Sequence, residues 1–180
     1  MKSPFLCLLL LVAFLCGDVS AFGEKPQSVL LIDSMIQRLE ISKEVAWAKF
    51  QNHLPVADPT REAILLAGMT AEGIKLGLSK AQVTDFFQPQ IMASRKVQEE
   101  LIADWNAGKP MPTAPPKNLM SEIRPQVIRV SLELLREWKK MLSKPLPSEL
   151  HHDAEEKIMH AGFSSEVAKI ASSPLVVGVH

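Results

Sequence analysis

Between residues 27 and 142 the apolar residues of this chain return every three or four positions over long stretches, and nowhere do they alternate as a half-buried strand would. That spacing prescribes helices packed on helices, because a helix with one apolar stripe buries it against another of its kind. The periodicity predicts a first helix over 27–53. A second opens at Asp58-Pro59, an N-cap acid followed by a proline whose missing N–H costs nothing at the first helical position, and closes near Gly77. A third opens at Ser79, where Gln82 completes a capping box, and runs to Trp105 with Pro89 as an internal kink.

Four prolines within 109–117 then make an extended, semi-rigid connector. Beyond it a fourth long helix is expected over 121–142, shorter ones over 149–160 and 164–171, and a frayed tail over 176–180. The fold class is all-α, a helical bundle. No hairpin dipeptide, internal repeat, phosphate-cradling glycine loop or nucleophile elbow stands out.

The first residues read as an address rather than as fold. Lys2 precedes an apolar run from Phe5 to Cys16, and Val19-Ser20-Ala21 places small residues where signal peptidase reads. The run is short for a membrane span. Phe14 and Leu15 are bulkier than the residues that precede a lipidated cysteine, so cleavage after Ala21 is preferred to a lipoprotein anchor at Cys16. Residues 1–21 are therefore expected to be a signal peptide. Residues 22–180 are expected to form one helical domain, secreted or periplasmic, with its core over 27–142 and extra C-terminal helices over 149–172. Both cysteines, Cys7 and Cys16, fall in the leader, so the remainder has no disulfide and depends on packing.

Twenty basic residues balance twenty acidic ones. A neutral chain argues against nucleic acid or, once the leader is removed, an anionic membrane as the main partner. The five histidines offer no pair with a carboxylate or cysteine companion suited to zinc, so no metal site is expected.

The informative residues are polar ones on apolar stripes. In the first helix Asp33, Gln37, Glu40, Glu44 and Gln51 mark the solvent side, while Leu31, Ile32, Met35, Val45, Ala46 and Phe50 mark the core. Arg38 and Lys49 fall among the latter, about 20° apart around the axis and roughly 16 Å apart along it. In the third helix Gln90, Ser94 and Gln98 interrupt the stripe of Val83, Phe87, Ile91, Leu101 and Trp105. In the fourth, Val127, Leu134, Trp138 and Leu142 face inward, Arg124 lies at the edge, and Arg129 and Arg136 point away.

Buried cations are costly unless something anionic meets them. A polar cavity for a small molecule with more than one carboxylate would satisfy them. Each residue taken alone has a plainer reading: a snorkelling Arg or Lys, a capping Asp58, a Glu62 favoured by the helix dipole, a Ser94 bonded to its own turn. Coincidence across several helices favours the cavity, and pattern alone does not name its guest.

Leu31-Ile-Asp-Ser-Met-Ile-Gln-Arg-Leu39, Val45-Ala-Trp-Ala-Lys49 and Asp58-Pro-Thr-Arg-Glu62 resemble the AroQ-type chorismate mutases. Phe86-Phe-Gln-Pro-Gln-Ile91, followed by Ser94, Gln98 and Trp105, is similar to their exported γ-class. The resemblance covers about 28–105 and loosens to 142. It implies an AroQ-type bundle with long first, third and fourth helices, and an isomerase of the shikimate pathway of aromatic amino acid biosynthesis. Chorismate would become prephenate with no cofactor, metal or covalent intermediate.

By motif position, the resemblance makes Arg38 and Arg61 binders of the substrate carboxylates, with Arg124 a third cation. Lys49 would bridge a carboxylate and the ether oxygen, and Gln98 would donate to the same oxygen. Asp58 and Glu62 would meet the ring hydroxyl or hold Arg61, and Ser94 would touch a carboxylate. It implies a site built within one chain and a homodimer. Two rivals remain: an isochorismate pyruvate-lyase, which shares much of this cation set, and a non-catalytic secreted helical effector, in which Arg38, Lys49 and Gln98 need not converge.

Overall fold

The computed structural model describes residues 25–176. The leader, its cleavage site and the end of the tail lie outside them. Six α-helices follow one another: α1 (Gln27–Gln51), α2 (Pro59–Lys75), α3 (Lys80–Asn106), α4 (Arg124–Met141), α5 (Leu150–His160) and α6 (Ser165–Ser172). No strand occurs among the described residues. The fold is the expected all-α bundle.

The predicted caps form. The Asp58 carboxylate accepts from the Arg61 N–H at the head of α2, and Ser79 and Gln82 close a reciprocal box at the head of α3. Pro89 lies inside α3, which runs on through it unbroken. Gly77 ends the α2 hairpin with φ 79°, a left-handed conformation that glycine adopts without strain.

The α4 helix starts at Arg124, three residues later than its periodicity predicts, and a different turn leads into it. Residues Leu119–Ile123 form a wide π turn before α4. The Asn118 side chain accepts from the N–H groups of Met120 and Ser121, and the Glu122 carboxylate accepts from the Asn118 N–H. Pro125 has no N–H to give the Ser121 carbonyl, so it cannot close an ordinary α-turn there. Instead the Ile123 and Arg124 N–H groups reach five residues back, to Asn118 and Leu119. After α6 a single 3-10 turn, Ser173–Leu175, adds a piece that the sequence pattern did not mark.

α1 packs on α3 and α4, α2 on α3, and α6 on α3 and α5. The main core draws on all six helices, with Trp138 stacked on Phe86 at 4.4 Å between ring centroids. A smaller apolar cluster of Ile41, Ala48, Ile123 and Val130 seats the π turn against α1. The connector between α3 and the π turn is strapped to α1: the Trp47 indole donates to the Ala114 carbonyl at 2.9 Å, and Lys117 pairs with Glu44 at 2.7 Å. Trp47, Phe50 and Trp105 form an aromatic trio under that strap.

Candidate active site

The same packing opens a cleft among α1, α2, α3 and the start of α4. Every residue to which the family resemblance gives a role lines it: Arg38, Lys49, Asp58, Arg61, Glu62, Ser94, Gln98 and Arg124. Arg38 is 4% exposed and Lys49 8%, as their place on the apolar stripe of α1 requires. Arg38, Lys49 and Gln98 thus meet in one cavity.

Arg38 is fixed from behind. Its Nε donates to Ser131 Oγ at 3.3 Å, and its Nη1 to the Gln90 carbonyl at 2.5 Å and to Ser94 Oγ. The Ser94 hydroxyl in turn donates to the Gln90 carbonyl at 3.0 Å. Nη2 has no protein partner among the described residues and remains for a ligand. Burial pushes the guanidinium down to about 10, still well above neutral pH, so the group enters the cavity charged.

Lys49 donates to the Val56 carbonyl at 2.5 Å, a contact that ties its ammonium to the α1–α2 loop. Burial pushes this ammonium below the usual lysine range. Asp58 and Glu62 pull it back up, and Arg124 and Arg95 press it further down.

Gln98 is 7% exposed and donates one amide hydrogen to the Ser94 carbonyl at 2.9 Å. Its carbonyl oxygen is buried without a partner among the described residues. The Ser94 carbonyl fixes which way the amide faces, because only the nitrogen end can satisfy it. One N–H of the amide is left to give.

The remaining placements refine the sequence reading. Arg124 sits with Nη2 3.7 Å from Asp58 Oδ2 and also contacts Met120 Sδ, which brings the cation after the connector to the cleft. Asp58 does hold Arg61, but through the backbone N–H, at 3.0 Å. Glu62 does not hold Arg61. Its carboxylate is gripped by Arg95, with Nε at 3.2 Å from one oxygen and Nη2 on the other. The Arg61 side chain has no hydrogen-bond partner among the described residues while lining the cleft.

Gln90 lies outside the cavity to which its stripe position assigned it. Its amide donates to the Ala171 carbonyl at 2.7 Å, because α6 packs on that side of α3.

Sequence reasoning missed Ser42, Arg95 and Ser131. Ser131 carried a signal: it falls between Val127 and Leu134 on the buried face of α4 and is fully buried there. Arg95 carried none, since it follows Ser94 off the apolar stripe. Five cations (Arg38, Lys49, Arg61, Arg95, Arg124) line the cleft against two carboxylates, Asp58 and Glu62, an excess suited to a multiply charged anion.

Residues 29–99 match the family described as chorismate mutase type II. A monofunctional chorismate mutase of Enterobacter agglomerans is 30% identical over 123 residues, covering 68% of this chain and 67% of that protein. A secreted chorismate mutase of Yersinia pestis is 30% identical over 114 residues, covering 63% of this chain and 60% of that one. The crystal structure of a chorismate mutase from Burkholderia phymatum superposes with a TM-score of 0.75 at 23% identity, over 84% of this chain and 96% of that one, a likeness of fold.

Proposed function

This chain belongs to the chorismate mutase type II family, and on that premise we propose that its cleft converts chorismate to prephenate with the residues described above. The reaction is an intramolecular rearrangement in which one C–O bond breaks as one C–C bond forms. Atoms and electrons balance within a single molecule, so no base, nucleophile or external electron carrier enters the scheme. The protein's work is to hold the enolpyruvyl arm over the ring and to stabilise negative charge growing on the ether oxygen.

The observation that carries the reading is the convergence of buried Arg38 and Lys49 with Arg61, Gln98 and Arg124 in one cleft. Guanidinium groups are planar forks matched to carboxylates. Arg38, held by Ser131, Gln90 and Ser94, presents such a fork already oriented, and Arg61 and Arg124 supply the second anchorage. Ser94 serves the substrate carboxylate by orienting Arg38. Lys49 and the spare N–H of Gln98 donate to the ether oxygen in a site where little water competes, and Glu62 accepts from the ring hydroxyl. Asp58 caps α2 and steadies Arg124.

The test is spectrophotometric loss of chorismate on addition of the chain from residue 22, with isochorismate assayed beside it. Chorismate turnover with prephenate as product supports the reading. Release of pyruvate from isochorismate, without chorismate turnover, overturns it in favour of the lyase.

We propose further that the chain is exported and its leader removed after Ala21, in keeping with the secreted relative in Yersinia pestis. Exported protein should begin at Phe22 on N-terminal sequencing, and a lipid mass on Cys16 would refute this. A homodimer is proposed as well. It is supported by the outer face of α2, where Ile64 and Ile74 are 57% and 56% exposed beside Ala67, Gly68 and Ala71. Light scattering on the purified chain tests it.

A further inference from the structure

We propose that Arg95 is a positioning residue for the reaction: it neutralises and aims the Glu62 carboxylate, so that an acceptor for the substrate's ring hydroxyl can stand inside a pocket built for a dianion. This inference rests on the chorismate mutase reading. A dianionic substrate that also carries a hydroxyl poses a conflict. The hydroxyl needs an acceptor, the strongest acceptors are carboxylates, and a bare carboxylate repels the substrate's own charges.

Among the described residues, only Asp58 and Glu62 supply carboxylates to the cleft. Asp58 is committed, with one oxygen on the Arg61 N–H and the other toward Arg124. Glu62 is the acceptor left, and Arg95 meets both of its oxygens side-on, through Nε and Nη2. A carboxylate offers about four lone-pair directions, so a two-pronged contact cancels the charge and still leaves acceptor capacity.

The pair joins the first turn of α2 to the middle of α3 across the cleft. It is partly exposed, 37% for the Arg95 side chain and 24% for that of Glu62, and ion pairs this wet contribute little to folding. Its worth therefore lies in where it puts the carboxylate. Arg95 also tempers Glu62 toward Lys49. Glu62 raises the Lys49 ammonium's hold on its proton and Arg95 lowers it, opposing effects alongside those of Asp58 and Arg124. Without Arg95, Glu62 would be a freer counter-ion, able to compete with the substrate for Lys49.

The experiment is steady-state kinetics on chorismate with the full chain carrying Arg95→Gln, Arg95→Lys, Glu62→Gln and the double change Arg95→Gln/Glu62→Gln. Because the hydroxyl does not itself react, Arg95→Gln should raise KM about tenfold and change kcat far less. Arg95→Lys should recover part of that loss, since a lysine supplies the charge without the fork.

The double variant is decisive. A neutral amide at position 62 needs no counter-ion, so its KM should fall back to that of Glu62→Gln alone. KM increases that simply multiply in the double variant would mean that Arg95 acts on the substrate rather than through Glu62, and would overturn the proposal. So would a fall in thermal midpoint with Arg95→Gln that tracks the kinetic loss, the mark of a mere brace. Failure of the unmodified chain to consume chorismate would instead sink the parent reading, before any variant is compared.

Discussion

Replacing Gln98 by glutamate exchanges an amide with two hydrogens for a carboxyl with at most one. In the native chain one amide hydrogen is spent on the Ser94 carbonyl at 2.9 Å, and the second is free for the ether oxygen. In Gln98→Glu a single O–H must serve both, so even at acid pH activity falls below native. When the carboxyl ionises, one oxygen faces the Ser94 carbonyl as acceptor against acceptor. The other takes the buried place of the unpaired amide oxygen.

Both circumstances, together with burial, favour the protonated form and push the new carboxyl above the ordinary Glu range of about 4.3. Loss of one aimed donor typically costs ~10²–10³ in kcat. A negative charge ~4 Å from the developing oxyanion opposes the transition state by about 4 kcal/mol at an effective dielectric of 20, roughly another 10³. Partial relief by Lys49 brings the expected loss in kcat/KM between the acid and alkaline plateaus to ~10³ or more.

Stability follows the same proton. A carboxyl whose folded pKa is raised contributes stability fully present below the unfolded value, and this is lost as pH rises through the folded one. A tenfold difference in proton affinity between the folded and unfolded chain corresponds to about 1.4 kcal/mol. Kinetics and urea midpoints measured against pH should therefore fall over one shared window in Gln98→Glu. Native activity should vary little from about pH 5 to 8, where unperturbed carboxyls have already ionised. Two pH–rate profiles of the same shape would refute donation by Gln98 to the breaking bond.

Lys49→Ala should lower kcat/KM by several orders of magnitude with an unchanged circular dichroism spectrum, and near-normal turnover would sink the assignment. Burial pushes the Lys49 ammonium down, so with its charge serving the ether oxygen as proposed, native kcat/KM should fall on the alkaline side below the ordinary lysine value of 10.5. Gly73→Ala should destabilise the fold, because a methyl there overlaps the Val83 side chain and lies 3.6 Å from Leu135. Overpacking costs about 1–3 kcal/mol and helix propensity returns about 1, so the urea midpoint should fall with an unchanged slope. Trp47→Ala removes the indole that holds the connector at Ala114, and should raise KM several-fold through Arg124 while exposing 109–117 to protease.

What the sequence made legible is what a single helix can announce about itself. Asp58-Pro59 and the Ser79–Gln82 pair are local chemistry, and both caps form as written. Arg38 and Lys49 share a face with Leu31, Met35 and Ala46, so their burial follows from counting residues per turn. What stayed hidden depends on which neighbour arrives. Gln90 and Ser94 occupy the same stripe four residues apart. One turns to Ala171 because α6 covers it, and the other serves Arg38 because α1 does. The grip of Arg95 on Glu62 joins residues 33 apart on different helices, and no helical wheel relates them. The π turn was invisible for another reason: periodicity locates the stripe of α4, whereas the register before it is set by Pro125 and the Asn118 cap.

One copy of the chain brings to the cleft Arg38 and Lys49 from α1, Asp58, Arg61 and Glu62 from the head of α2, Ser94, Arg95 and Gln98 from α3, and Arg124 from the head of α4. An assembly whose sites borrow a residue from a neighbour loses activity as it is diluted and its subunits part. A cleft complete in one copy loses nothing to dilution. Turnover per molecule should stay constant from micromolar to picomolar enzyme, whether or not copies associate through α2. Such a catalyst can be released into a large volume and keep its full specific activity, one molecule at a time.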